Sequence, residues 1–227
     1  EVGRVTKALG NLSIGQSPVY VVGPLGKPAV IEKYGLVVCV ATGIGAAQIL
    51  PICRALKKKG NKVIGIVGAK SKKVLMLESQ MRVVCDEIFI TTNDGSYERR
   101  GLASELLKEL FVKYNVNAVY AIGSVDMMQA AVNLSRTKEI PIYVTITPPM
   151  TNGLGICGSC RLKVAGGFQL ACVDGPTFNG YDVDFEDLHL RMSSLKETGW
   201  DNPNPHLKAP RKELPIFVKS LWGSPKK

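Results

Sequence analysis

From Leu36 onward, short apolar runs alternate with segments whose apolar residues recur at helical spacing. Short apolar runs bounded by turn residues predict buried strands, and amphipathic segments predict the helices that cover them. The predicted strands are residues 36–41, 62–67, 87–91, 118–122 and 141–146. The predicted helices are residues 46–59, 102–114 and 127–134. This alternation is typical of an α/β domain with a parallel sheet covered on both faces, where ligands bind at the carboxyl ends of the strands.

The pattern changes on both sides of this domain. Before it, the apolar run Val19–Val22 lies between turn residues and predicts that the chain begins inside a β domain, which Gly23–Pro28 closes. After it, residues 161–172 alternate apolar and polar positions about Gly166-Gly167, which predicts a small hairpin. From about residue 197 the chain is rich in proline and lysine, and this leaves two interpretations, a disordered tail or an extended arm ordered against a partner.

Composition narrows the class of protein. The 227 residues are 45% hydrophobic, which allows one or two domains with an ordinary core. No apolar run is long enough to span a bilayer, so we expect no membrane association. No signal peptide is visible and three of the cysteines lie in apolar segments, so we expect a protein of the reducing cytoplasm. The formal net charge is +10, but the lysines are dispersed, which disfavours nucleic acid and favours an acidic partner or a phosphate-bearing cofactor.

A glycine loop, Gly43-Ile-Gly45-Ala46, connects the first predicted strand to its helix. Glycines at this place let backbone amides approach a pyrophosphate, which the start of the helix stabilises. Gln48 replaces the third glycine of the common dinucleotide fingerprint, so a purely structural turn remains the alternative. Together with Gly123, at the end of a neighbouring strand, the loop predicts a dinucleotide site.

Five further residues are candidates for the same site. Gly68 and Lys70 follow the second strand, where many NAD sites carry an acidic residue, and Lys70 or Lys72 is either a ligand of a 2′-phosphate or a solvated turn lysine. Asp94 precedes a glycine, so it either binds the ligand or only forms a turn. Met127 lies at a helix start, where methionine belongs to the core more often than to a cofactor site.

The segment from residue 152 to residue 172, called the cysteine loop, carries three thiols. Cys157 and Cys160 have the spacing at which a tight glycine-rich loop turns both sulfurs toward one metal centre, and the predicted hairpin returns Cys172 to them. Plant-type iron–sulfur loops place another cysteine five residues before such a pair, where this chain has Asn152. An iron–sulfur cluster is the leading interpretation, while zinc and buried or redox-active cysteines remain alternatives.

Five segments together resemble the electron-transfer subunits of the ferredoxin-NADP reductase superfamily. They are residues 23–28, 41–45, 91–96, 123–128 and the cysteine loop. Within that superfamily the chain is similar to the small subunit of NADH-dependent ferredoxin:NADP oxidoreductase, also described as sulfide dehydrogenase. The dihydroorotate dehydrogenase electron-transfer subunit is a near relative, but such subunits usually carry cysteine where this chain has Asn152.

The resemblance implies an FAD, an NAD(P) and a 2Fe-2S cofactor, a larger oxidoreductase partner in a heterodimer, and ferredoxin reached through that partner. Of the coenzymes, it favours NAD over NADP. The implied cluster ligands are Cys157, Cys160, Cys172 and, at a position where the similar oxidoreductase subunits carry aspartate, Asn152. The implied domains are the C-terminal part of a truncated flavin-binding β-barrel (1–34), an NAD(P)-binding domain (35–149), a 2Fe-2S domain (150–195) and an extended tail (196–227).

Gly3 and Thr6 look like the remnant of the FAD-pyrophosphate loop of those relatives. On this basis the first hypothesis is an electron-transfer subunit that moves electrons between NAD(P)H, FAD and a cluster, a task that requires no general acid, base or nucleophile from the chain. The second hypothesis, from another class, is a non-enzymatic module that binds zinc or a nucleotide. Visible absorption distinguishes the two, because flavin and iron–sulfur clusters are coloured and zinc is not.

Overall fold

The computed structural model describes residues 4–18 and 20–197, so Gly3 and the predicted tail from residue 198 lie outside it. Within these limits there are two compact units. One spans Val22–His189, and the other combines the residues up to Val21 with those from Leu190 onward. The units divide the chain at other places than the predicted domain boundaries, and both the dinucleotide region and the cysteine loop belong to the first unit. The four-part division remains a prediction.

Helices and strands alternate through most of the chain. The helices are α1 (Arg4–Gly10), α2 (Gly45–Lys58), α3 (Glu78–Val84), α4 (Ala103–Lys113), α5 (Val125–Arg136) and α6 (Phe185–Glu197). The strands are β1 (Leu36–Thr42), β2 (Lys62–Ala69), β3 (Glu87–Thr92), β4 (Arg99–Arg100), β5 (Ala118–Ile122), β6 (Ile142–Thr145), β7 (Arg161–Val164), β8 (Gly167–Leu170) and β9 (Thr177–Asn179).

A sheet with strand order β4-β3-β2-β1-β5-β6-β9 forms the centre of the larger unit. Strands β1 to β6 run parallel, while β9 pairs antiparallel with β6. Each predicted strand and helix of the α/β region is present, which confirms the mixed α/β class with a mostly parallel sheet. The chain leaves β1 first toward β2 and later toward β5, so a crevice opens between the carboxyl ends of β1 and β5, where ligands of such sheets bind.

Strand β1 lies in the middle of the sheet, and its residues Val37–Ala41 are fully buried. A buried asparagine, Asn61, fixes the approach to this strand. Its Oδ1 accepts hydrogen bonds from the backbone N–H groups of Tyr34 (2.7 Å) and Gly35 (3.0 Å), and its Nδ2 donates to the carbonyls of Glu32 (2.8 Å) and Leu56 (3.0 Å). The side chain thereby satisfies four backbone groups at the edge of the core.

The predicted hairpin is β7 and β8, which form a separate two-stranded sheet. Its turn is Ala165-Gly166 rather than Gly166-Gly167, with φ of +50° and +76°. Two consecutive residues with positive φ are typical of a type I′ turn, whose twist matches that of the paired strands. Consequently Gly167 is the first residue of β8.

The described residues at the beginning of the chain do not form the predicted β domain. Arg4–Gly10 is helical, and none of the described residues before Leu36 forms a strand. A strand needs a neighbouring strand for its backbone hydrogen bonds, and none of the described residues pairs with this segment, so helical bonds within the segment satisfy the backbone instead. No helix in the described part of the chain is both long and apolar enough to cross a membrane.

Candidate functional site

A cavity of about 870 Å³ lies at the carboxyl ends of the central strands. Of the predicted dinucleotide residues, Gly43, Gly68, Lys70, Gly123 and Met127 line it. Gly45, Ala46 and Asp94 are not among its lining residues. The crevice between β1 and β5 is thus a cavity large enough for a cofactor-sized ligand.

The two glycines of the predicted phosphate loop have different tasks. Gly43 has φ +56° and open space where a side chain would begin, so its backbone is exposed to the cavity. Gly45 is buried, and a Cβ on it would lie 2.3 Å from the carbonyl oxygen of Ile122. Gly45 therefore lets the start of α2 pack directly on the end of β5, while Gly43 has open space beside its backbone.

The starts of α2 and α5 differ in their side-chain caps. Ile44 precedes α2 and has no side-chain hydrogen bond to its first turn, but the N–H groups of Ala46 and Ala47 donate to the carbonyls of Gly43 (3.2 Å) and Ile44 (3.0 Å). Ser124 precedes α5, and its Oγ accepts a hydrogen bond from the backbone N–H of Met127 (3.3 Å). The start of α2 thus lacks the side-chain cap that the start of α5 has.

Gly123 follows β5 and lies close to the end of β1. Its φ is +157°, and a Cβ at this position would lie 2.0 Å from the Oγ1 of Thr42. The same Oγ1 accepts a hydrogen bond from the Ser124 N–H (3.1 Å). Gly123 therefore keeps the loop after β5 close to the end of β1, and a side chain there would open the crevice.

Sequence reasoning missed several lining residues because they are scattered through several loops. Among them are four apolar residues and six polar ones: Ile44, Val74, Met76 and Leu102, and Thr42, Gln48, Asn93, Ser124, Asp126 and Thr147. The only sequence signal that could have identified them as lining residues was their position, since most of them follow a predicted strand or begin a helix. Among the described residues, Asp126 is the only carboxylate that lines the cavity, and its Oδ1 lies 3.5 Å from the Nε2 of His189.

The cysteine loop brings two of its three thiols together. The sulfurs of Cys160 and Cys172 are 3.2 Å apart, and both side chains are buried. Cys160 precedes β7 and Cys172 follows β8, and the Ala171 N–H donates to the Cys160 carbonyl (3.1 Å), which continues the hairpin ladder to the base of the loop. Burial, and then the Cys160 sulfur, raises the pKa of Cys172, while the backbone N–H of Gly155 opposes this rise.

Cys157 is exposed, and its sulfur lies 3.2 Å from the Oγ of Ser159. The hydrogen bond from Ser159, assisted by backbone N–H groups, lowers the pKa of Cys157 to about 7. Within the described residues, no group of three or more Cys, His, Asp or Glu side chains is gathered as it would be around a metal ion. The structure thus pairs Cys160 with Cys172 and leaves Cys157 on the surface.

Asn152 forms a turn at the start of the loop. Its Oδ1 accepts a hydrogen bond from the backbone N–H of Leu154 (2.9 Å), the arrangement of an Asx turn. Its own backbone N–H is among the groups that lower the pKa of Cys157, so the Asn152 backbone faces that sulfur. An amide oxygen has a second lone pair, and this one remains for a further partner.

The donor set of the loop fits an iron–sulfur cluster. Two adjacent thiols in a buried position supply soft ligands, and hydrogen bonds to Cys157 favour its thiolate, whereas burial raises the pKa of Cys172. The predicted flavin residues, Gly3 and Thr6, lie at the beginning of the chain. Thr6 lies within the helix α1 instead of a phosphate loop, and Gly3 is outside the described residues.

Comparison with known proteins gives one domain match and several similar chains. Residues 148–184 match the iron–sulfur cluster binding domain of dihydroorotate dehydrogenase B. A dihydroorotate dehydrogenase B (NAD(+)) electron transfer subunit homolog of Thermotoga maritima is 36% identical over 196 residues, which are 86% of this chain and 69% of that protein. A probable electron transfer subunit of the same enzyme from Methanopyrus kandleri is 34% identical over 177 residues, covering 78% and 66% of the two chains.

One solved structure is similar over most of the chain. It is a chain of the NADH-dependent reduced ferredoxin-NADP oxidoreductase, described in connection with flavin-based electron bifurcation. The superposition has a TM-score of 0.80 at 34% identity and covers 88% of this chain and 72% of that one. A match over this share of the chain extends well beyond the cysteine loop.

Proposed function

Because the chain belongs to the family of dihydroorotate dehydrogenase B electron-transfer subunits, we propose that it relays electrons between a nicotinamide dinucleotide and a 2Fe-2S cluster for a larger partner subunit. The observation that carries this proposal is the buried pair of Cys160 and Cys172 sulfurs, 3.2 Å apart, inside the segment that matches an iron–sulfur cluster binding domain. An oxidoreductase role agrees with the names of the relatives.

The cavity is the proposed dinucleotide site. The open space beside Gly43 would let the pyrophosphate approach the start of α2, and Gly68, Lys70, Gly123 and Met127 would border the two nucleosides. Gly45 and Ala46 support this site by packing α2 against the sheet, and Asp94 supports it by shaping the loop after β3. A nicotinamide coenzyme bound there would supply or accept a hydride, that is, two electrons.

The cysteine loop is the proposed cluster site. Cys160, Cys172 and Cys157 would supply thiolates, and an iron–sulfur cluster would supply one-electron transfer there. Hydrogen bonds from Ser159 and from backbone N–H groups favour the thiolate form of Cys157, while burial raises the pKa of Cys172, whose thiolate the iron would have to stabilise. The 3.2 Å contact between the Cys160 and Cys172 sulfurs, at the base of the hairpin, gives two of the ligands a fixed position before the cluster is bound.

Asn152 is the proposed fourth, weak ligand. The resemblance places aspartate or cysteine at this position, and a neutral amide oxygen is a poorer donor to ferric iron than either. A cluster with such a ligand should be held less firmly and have a higher reduction potential. The Asn152-Gly153 pair is also prone to deamidation, which would convert the amide to a carboxylate. Redox titration of the wild type, Asn152→Asp and Asn152→Ala tests this, and identical potentials in all three would exclude residue 152 as a ligand.

A flavin is proposed between the coenzyme and the cluster, because the nicotinamide delivers two electrons at once and the cluster accepts one at a time. We propose that residues 35–149 bind the dinucleotide and that residues 150–195 bind the cluster. The names of the relatives speak of subunits, which supports a larger partner, with ferredoxin or dihydroorotate dehydrogenase chemistry on the partner's side.

Anaerobic reconstitution with iron and sulfide tests the cluster. We expect about two iron and two sulfide ions per chain with thiolate-to-iron absorption in the visible. Cys160→Ser and Cys172→Ser should lose most of both, whereas Cys85→Ala, a matched change at a buried cysteine outside the loop, should retain them. Full iron and sulfide content in both serine variants, or a colourless chain that binds zinc with equal stoichiometry, would refute the proposal.

A further inference from the structure

The dinucleotide cavity extends to both sides of the loop after β1. One side is bordered by the ends of β5 and β6, and the other by Gly68–Lys70 after β2, Asn93 after β3 and the start of α4. In sheets of this type, a residue after the second strand contacts the adenosine ribose. The side over β2 and β3 is therefore where the 2′ position of the adenosine would lie.

The described polar side chains on that side carry no negative charge. Lys70 is exposed at the end of β2, and its ammonium forms no hydrogen bond or ion pair with any residue that the structure describes. Asn93, exposed at the end of β3, adds a neutral amide. Asp126, the one carboxylate that the described residues contribute to the lining, belongs to α5 on the other side of the cavity.

A neighbouring carboxylate, Asp94, is engaged within its own loop. Its Oδ1 accepts hydrogen bonds from the N–H (2.9 Å) and Oγ (2.6 Å) of Ser96, and it does not line the cavity. Ser96 in turn accepts from the Lys72 N–H (2.8 Å), and the Lys72 ammonium lies 4.4 Å from the ring centre of Tyr97. Asp94 and Lys72 therefore hold this loop together, and Lys70 is left as the charged group facing the ligand.

We propose that Lys70, with Asn93, recognises a 2′-phosphate, so that the cavity prefers NADP(H) to NAD(H). This inference rests on the proposed dinucleotide function of the cavity. The two ribose hydroxyls of NAD are usually held by a carboxylate acceptor, which the described residues on this side lack, whereas a phosphate dianion gains a charge-assisted contact with an ammonium. The names of the relatives speak of NAD(+), so the preference would distinguish this chain from them.

Titration calorimetry with 2′-phospho-AMP and AMP isolates the contact, because these ligands differ only in the 2′-phosphate. We expect 2′-phospho-AMP to bind about tenfold more tightly, which is the range of one charge-assisted hydrogen bond. Lys70→Ala should abolish most of this preference and leave AMP affinity within about twofold. Lys73→Ala, which removes an exposed lysine of the same turn outside the cavity lining, is the matched control and should change neither affinity.

A second variant, Asn93→Asp, places a carboxylate at the end of β3. It should weaken 2′-phospho-AMP and leave AMP unchanged or slightly tighter, and NADPH and NADH affinities should follow the same order. Equal binding of both mononucleotides, or a preference that survives in Lys70→Ala, would overturn the inference and leave the dinucleotide site standing. Absence of binding for both would overturn the dinucleotide site itself.

Discussion

Substitution of the two glycines before and at the start of α2 would separate a packing role from a binding role. In Gly45→Ala the new methyl carbon would lie 2.3 Å from the Ile122 oxygen and 2.8 Å from the Ile122 carbonyl carbon. Real contacts of this kind are not shorter than 3.0 Å, so helix α2 must move away from the end of β5. Gly43→Ala meets no atom within 4 Å and only forces alanine to adopt φ +56°.

The magnitudes follow from these geometries. Overpacking against backbone costs about 1 to 3 kcal/mol, and we expect the upper half of this range for Gly45→Ala because no flexible side chain can yield. At roughly 2 to 4 °C per kcal/mol for a chain of this size, the melting temperature should fall by about 4 to 12 °C. The left-handed conformation costs alanine about 1 to 2 kcal/mol at Gly43, so its melting temperature should fall by about half as much.

Thermal unfolding and nucleotide titration of the same preparations provide the assay. Gly43→Ala should lower the affinity for a dinucleotide by about tenfold or more, because its methyl group enters the space of the pyrophosphate. Gly60→Ala is the control, since Gly60 also has positive φ (+87°) and a nearly open Cβ position but lies at the other end of α2. A Gly45→Ala chain as stable as Gly60→Ala would refute the packing argument, and undiminished binding in Gly43→Ala would refute the phosphate loop.

Three further outcomes can be measured. Asn61→Ala should lower the free energy of unfolding by about 2 to 4 kcal/mol in urea, because four hydrogen bonds to buried or half-buried backbone are lost. In the cluster-free chain, alkylation of Cys157 should reach half its maximum rate near pH 7, because the lowered pKa favours the reactive thiolate above that pH. Ser159→Ala should shift this midpoint to higher pH, and an unchanged midpoint would contradict the role of Ser159 in lowering the pKa. Oxidation of the cluster-free chain by a disulfide reagent should join Cys160 to Cys172, with Cys157 still open to alkylation, and peptide mapping that finds Cys157 in the first disulfide would contradict the observed pairing.

The alternation of strands and helices from Leu36 to Thr145 was predictable from sequence because it depends on local patterns. An apolar run such as Val37–Ala41 can only be satisfied by burial, and its backbone groups pair with whichever strand lies beside it. The cysteine spacing likewise selected the right segment for an iron–sulfur cluster binding domain. Each of these two signals depends on residues that lie within a few positions of one another along the chain.

What only the tertiary structure decided depends on contacts between distant residues. Strand β9 joins the sheet by pairing with β6, with Tyr143 opposite Asn179, and nothing local to Thr177–Asn179 indicates that partner. The task of Gly45 depends on the carbonyl of Ile122, and the pairing of Cys160 with Cys172 depends on the hairpin register. Sequence periodicity determines which face of an element is buried, but packing sets which atoms meet there, and so only the tertiary structure distinguishes Gly45, which lies against Ile122, from Gly43, which has open space beside it.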